Sequence, residues 1–211
     1  VYNNKECIIM KTEISKVIDK YYDFYYKIFD SIYPAHNSTG FTERNQTVNF
    51  SKAIESLYDD VISWFEYPVG DNKHIDAIII NKGLKEVFII EAKRFSIPKK
   101  KIKSMGEDII RITDSNIINM IKKNLPQAND YTYYGVILSD VWTENRPKTN
   151  IFETWGESFL DKYRDLIQLP ANINLNDLKW FKKSFENKDI RDESIKKNYK
   201  LLIMISELKQ I

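Results

Sequence analysis

Residues 11–33 carry a helical rhythm. Ile14, Val17, Ile18, Tyr21, Tyr25, Ile28 and Ile32 recur three or four residues apart, which gathers them on one face. Pro34 ends this helix, and 35–40 reads as a loop. Thr42 suits the N-cap of a second helix, with Thr47, Phe50, Ile54, Leu57 and Val61 as its apolar stripe. The period then changes to two. Residues 64–69 form a short aromatic strand whose Pro68 marks an edge or an end. Residues 70–73 are turn chemistry, 74–80 a β-prone run, 81–83 a turn, and 86–93 a further strand. Two apolar strands so closely joined predict an antiparallel hairpin.

After Pro98 the rhythm is helical again, with Ile102, Met105, Ile109 and Ile112 on the buried face. Asp108 and Arg111 fall beside that stripe and receive no chemical role. Residues 114–124 carry another helical turn or two. The run 133–139 predicts a buried strand, parallel to an earlier one because a helical crossover leads to it. Between 152 and 190 a helix is expected over 159–166 and loop elsewhere; 199–206 is a last strand. The order α, α, β, β, β, α, β, β predicts an α/β sandwich around a mixed sheet.

The 211 residues favour one domain over two. With 43% hydrophobic and 29% charged residues, a collagenous or disordered chain is excluded. Thirty-two Lys and Arg against 30 Asp and Glu leave a net charge of +2, which excludes binding to nucleic acid by bulk charge but not by a local patch. One cysteine, Cys7, cannot form an internal disulfide, and no apolar run approaches the ~18 residues of a membrane span. With no secretory leader at the first residues, a cytoplasmic protein without a membrane partner is expected.

The hairpin concentrates the chemistry. Glu91 and Lys93 share a strand face with Val87 and Ile89; Asp76 shares one with His74, Ile78 and Ile80. A turn centred near Gly83 and Leu84 sets Asp76 across from Glu91, with Cβ atoms ~5 Å apart. Two facing carboxylates repel and call for a cation between them; a hard divalent ion suits oxygen ligands. Against this stands a plainer reading, in which solvated charges end the strands and Lys93 simply pairs with Glu91. His74 is better read as a hydrogen-bonding neighbour than as a ligand, and Tyr21, Tyr22, Tyr25, Trp142 and Trp180 as core or rim rather than base-stacking residues.

Asp76 followed by Glu91-Ala92-Lys93, with this order of elements, resembles the PD-(D/E)XK nuclease superfamily. The resemblance spans residues 42–140, with 199–206 as a further core strand; Ile75 stands where the name-giving Pro would be. It implies a restriction-endonuclease-like α/β/α sandwich with a central mixed sheet, core order αβββαβ plus a C-terminal strand. Residues 1–41 would then be a helical addition and 145–198 a variable region. It further implies a metal-dependent nuclease acting on nucleic acid, DNA by expectation. Asp76, Glu91, the Ala92 carbonyl and Glu43 would hold Mg²⁺ or Mn²⁺, and Lys93 would position water or stabilise the transition state. Glu43 is chosen over Glu55 because it continues the Thr47–Phe50–Ile54 stripe, although an acid in a first turn also suits the helix dipole. Thr42-Glu43-Arg44-Asn45 is similar to a motif of an uncharacterised bacterial branch of these nucleases. Arg94, Lys99, Lys100, Lys101 and Lys103 directly follow the motif and could contact phosphates, or could be an ordinary solvated helix start. A homodimer stays open, as does the alternative of an inactive nuclease-like module that binds nucleic acid or protein.

Overall fold

The computed structural model describes residues 11–32, 41–70, 73–170, 173 and 176–208. Helices α1 (Ile14–Ser31) and α2 (Glu43–Glu55) precede strands β1 (Val61–Pro68), β2 (His74–Asn81) and β3 (Glu86–Arg94). Helices α3 (Pro98–Ile112) and α4 (Ser115–Asn124) lead to β4 (Thr132–Trp142). Then follow α5 (Arg146–Thr154), α6 (Glu157–Lys162), α7 (Arg164–Ile167), β5 (Asn176–Ser184), α8 (Glu193–Asn198) and β6 (Tyr199–Leu208).

Local chemistry explains the main boundaries. The Thr42 side chain accepts the Asn45 N–H and caps α2, and Asp114 caps α4 through Asn116. Pro98 opens α3, where a missing N–H costs nothing. The six strands form one mixed sheet in the order β1-β2-β3-β4-β6-β5. The β2–β3 hairpin is antiparallel, β4 runs parallel to β3, and β6 lies antiparallel between β4 and β5. The sheet has an apolar layer on each side. Val17, Tyr21, Tyr25, Phe50 and Ile54 of α1 and α2 cover one face, with Ala77, Phe88 and Ile90 beneath them. Ile102, Met105, Ile109 and Ile112 of α3, with α4 to α7, cover the other, over Val87 and Ile89. β3 therefore lies buried on both faces, and each large apolar side chain there contributes about 1.5–3 kcal/mol by leaving water.

Several expectations change. Helix α1 ends at Ser31, so Ile32 is 79% exposed and the buried stripe closes with Phe29 instead. Helix α2 ends at Glu55; Leu57 lies beyond it and Val61 already opens β1. The expected loop in 152–190 contains β5, an edge strand held by its ladder to β6 rather than by its own alternation. Asp108 is only 2% exposed, inside the α3 core face and not beside it. Tyr21 and Tyr25 are fully buried, so they are core residues, while Trp142 packs edge-on against Tyr199 and Trp180 against Trp155. The expected stop at Pro34, His36 in the loop 35–40, Cys7, and Asp71 and Asn72 of the expected turn lie outside the described residues. No helix of the described residues is long and apolar enough to cross a membrane.

One contact between the helices over the second face tolerates no side chain. A Cβ on Gly106 of α3 would clash with the backbone carbonyl of Ile167 in α7. Because backbone cannot yield like a flexible side chain, Gly106→Ala should destabilise the protein by about 1–3 kcal/mol, as overpacking does. Urea unfolding checks this; an unchanged midpoint would mean α7 does not press on α3.

Candidate functional site

The site forms where β2 leaves β3. The ladder between them runs from Asn81↔Glu86 to Ala77↔Ile90 and stops there. The next residue on β2 is Asp76, and the same register sets it across from Glu91. On the other side of β2, Glu66 of β1 faces Asp76 between the pairs Phe65↔Ala77 and Tyr67↔Ile75. Glu66 adopts a left-handed backbone, φ 54°, which is costly for a residue with a Cβ. Here the hairpin rolls over. Phe65 and Ala77 pack with the α1–α2 layer, but Tyr67 and Ile75 pack with the α3 layer. The strict alternation expected through residues 74–78 thus breaks at Asp76, and His74 is exposed to solvent.

The break leaves a donor of β3 without a backbone partner. Asp76 Oδ2 takes it, accepting the Ala92 N–H at 2.7 Å. The N–H and C=O of a strand residue point towards the same neighbour, so the Ala92 carbonyl opens on the same side.

Glu91 and Lys93 project towards α3, as their shared face predicts. Asp108 and Arg111 meet them there. Lys93 Nζ lies 2.7 Å from Asp108 Oδ2, and Arg111 Nε 2.8 Å from Glu91 Oε1. Arg111 also donates through its terminal nitrogen to Asp108 Oδ1. Glu91 and Asp108 are almost wholly buried, so water does little to screen this quartet. Despite its short distance, the Arg111–Glu91 contact lacks hydrogen-bond alignment, and neither Glu91 Oε1 nor Arg111 Nε has another partner.

Burial first, then the Asp76 and Asp108 carboxylates, push Glu91 up to about 9; Arg111 works against this. Burial and the neighbouring carboxylates thus favour the protonated form of Glu91. For Lys93, burial opposes the ammonium, but Asp108, Glu43 and Glu91 outweigh it and the net shift is upward. Lys93 is therefore held here as a cation and a hydrogen-bond donor.

Glu43 reaches the same end of β3 from the opposite layer. Its Oε1 accepts the Arg94 N–H at 3.0 Å and the Lys101 ammonium at 2.8 Å. Burial raises Glu43, but Lys101, the Arg94 N–H and Lys93 more than offset it, so Glu43 lies below its ordinary value. Glu55 instead binds the hydroxyls of Ser51 and Ser63, away from this cluster. The basic run divides. Arg94 and Lys101 turn inward, while Lys99, Lys100 and Lys103 are exposed.

Behind Arg94 lies Asp140 of β4, fully buried and absent from the sequence reading. It accepts from Gln46 Nε2 at 3.1 Å and from the Tyr199 hydroxyl at 2.7 Å, with Arg94 Nε 3.8 Å away. Burial pushes it up to about 6. Asp108 could have been found by spacing, since it stands three residues after Met105 and four before Ile112. Asp140 had no such signal: it follows Ser139 at the polar end of an apolar strand and meets Arg94 only across the parallel ladder.

Among the described residues, no three His, Cys, Asp or Glu side chains converge closely enough to enclose an ion by themselves. The fold defines a mixed α/β protein with a six-stranded sheet. Compared with known proteins, the chain matches no family model, no curated sequence and no solved structure.

The buried acid gives a pH signature. Because the folded Glu91 holds its proton far above the ordinary carboxylate range, it contributes stability that is complete below its unfolded value. That contribution falls as pH rises towards about 9. Asp140 has the same sign but finishes near 6. In EDTA, stability should therefore decline between pH 6 and 9, and Glu91→Gln should flatten that decline. A wild-type curve already flat in this range, followed by urea unfolding, would refute the assignment.

Proposed function

We propose that the chain is a metal-dependent nuclease of the restriction-endonuclease-like PD-(D/E)XK class, acting on nucleic acid, with DNA as the expected substrate. The observation that supports this most is the gathering of Asp76, Glu91 and Lys93 where β2 parts from β3, with the Ala92 carbonyl on the same side. The order of elements and the parallel β3–β4 pair are compatible with such a core.

The donor set fits a magnesium or manganese ion. The hairpin register sets Asp76 across from Glu91, and Glu91 Oε1 has no aligned hydrogen bond. Burial and the neighbouring acids favour the protonated form of Glu91, and a shared cation would take that proton's place. The lack of a third carboxylate is no obstacle, because Mg²⁺ commonly takes one or two carboxylates and completes its shell with water and substrate phosphate. Asp76, Glu91 and the Ala92 carbonyl would hold the ion, and Glu43 would reach it through water. When bound, it would polarise the phosphate and lower the pKa of a bound water.

The side chains have distinct tasks in hydrolysis, in which water oxygen joins phosphorus, a P–O ester bond breaks and the leaving oxygen gains a proton. Glu91 must first give up its proton. Lys93, kept charged and held by Asp108, donates to a phosphoryl oxygen or orients the water, and so favours the charge that develops in the transition state. Lys101 and Arg94 fix Glu43 at the edge of the site. Lys99, Lys100 and Lys103 offer exposed cations beyond it for the substrate backbone. The closed Arg111–Glu91 contact supports a second reading, a nuclease-like module that binds without cleaving.

Incubation with plasmid and with single-stranded DNA in Mg²⁺ or Mn²⁺ separates the two readings. Cleavage should be abolished by Asp76→Ala and lowered about 10²–10³-fold by Lys93→Ala, the usual cost of losing one transition-state donor. Binding without cleavage on every substrate, unchanged by these substitutions, would leave only the second reading.

A further inference from the structure

We propose that Arg111 is the resident counter-cation of the Asp76–Glu91 carboxyl pair and sets how tightly the site takes a divalent ion, because it must leave Glu91 when the ion enters. The inference rests on the metal reading above and adds to it a residue that controls occupancy.

Four features support it. The Arg111 guanidinium already lies 2.8 Å from a Glu91 oxygen, within the reach of any ion that Asp76 and Glu91 would share. A second fixed cation there opposes a first, and low local dielectric sharpens the opposition. The contact lacks hydrogen-bond alignment, so little directional bonding is lost on parting. Arg111 also has somewhere to go: its other arm donates to Asp108, and its side chain is 28% exposed, with a stem long enough to move its head towards water. Lys93 cannot take over the same role, because Asp108 holds its ammonium 2.7 Å away. Both cations share Asp108, so Asp108 keeps Arg111 at the site after it releases Glu91.

The test uses calorimetric titration of the full chain with Mn²⁺ at one fixed pH and salt concentration. Wild type should show a site that disappears in Asp76→Ala. Arg111→Gln should tighten it about tenfold, at the lower end of what residues around a metal site typically control. Arg111→Met, which keeps the apolar stem, should do the same and serves if Arg111→Gln does not fold. Arg111→Lys, which keeps the charge, should stay close to wild type. An Asp76-dependent site whose affinity is unchanged or weakened in both neutral variants would overturn the inference while leaving the metal reading intact. If wild type shows no Asp76-dependent site, the metal reading fails and the inference with it.

Discussion

A carboxyl group in the interior of a sheet is the constraint around which this protein is arranged. Glu91 lies on β3, the strand buried on both faces, and it is 2% exposed. An isolated ionised carboxylate there would be prohibitively costly, so it must hold a proton, meet a cation, or both. Here it does both: Arg111 stands beside one oxygen, and burial together with Asp76 and Asp108 keeps the proton on. The apolar stretch from Val87 to Ile90 supplies the burial that carries this group inside.

The surrounding backbone makes room for it. A regular hairpin would have zipped β2 to β3 past Asp76 and used the Ala92 N–H in a ladder bond. The left-handed turn at Glu66 rolls the β1–β2 end over, the ladder stops at Ala77↔Ile90, and Asp76 satisfies the freed donor with its side chain. Strain at one position and an orphaned donor at another thus bring a carboxylate to the edge of the acidic pair. Irregularities of this kind gather at functional sites, where surrounding packing holds them in place.

Charge compensation then spreads outward in two directions. Towards α3, Asp108 binds both Lys93 and Arg111, tying the end of β3 to the C-terminal part of the helix. Towards α2, Glu43 takes the Arg94 N–H and Lys101, and Arg94 leans on buried Asp140. The two helix layers are joined electrostatically at the end of β3, where Lys93 lies under the influence of both Asp108 and Glu43. The near-zero net charge of the chain conceals this local alternation of buried acids and bases.

Much of this was legible in the order of residues. Runs of β-prone apolar residues located β2, β3, β4 and β6, and the hairpin turn alone set Asp76 across from Glu91, because antiparallel register follows from loop position. The shared face of Glu91 and Lys93 also followed from alternation. What the order of residues did not determine were contacts between segments distant in sequence. Asp108 and Arg111 became part of the site because α3 lies across β3, and Asp140 met Arg94 through a parallel ladder that closes only after the crossover. β5 exists because β6 offers it an edge, and the roll at Glu66 depends on neighbours packing from both layers. Periodicity and turn chemistry act over a few residues, so the sequence by itself determined the elements and the local register. Burial and charge pairing act through space, so only the tertiary structure decided which charges share the interior and which residue stands beside Glu91.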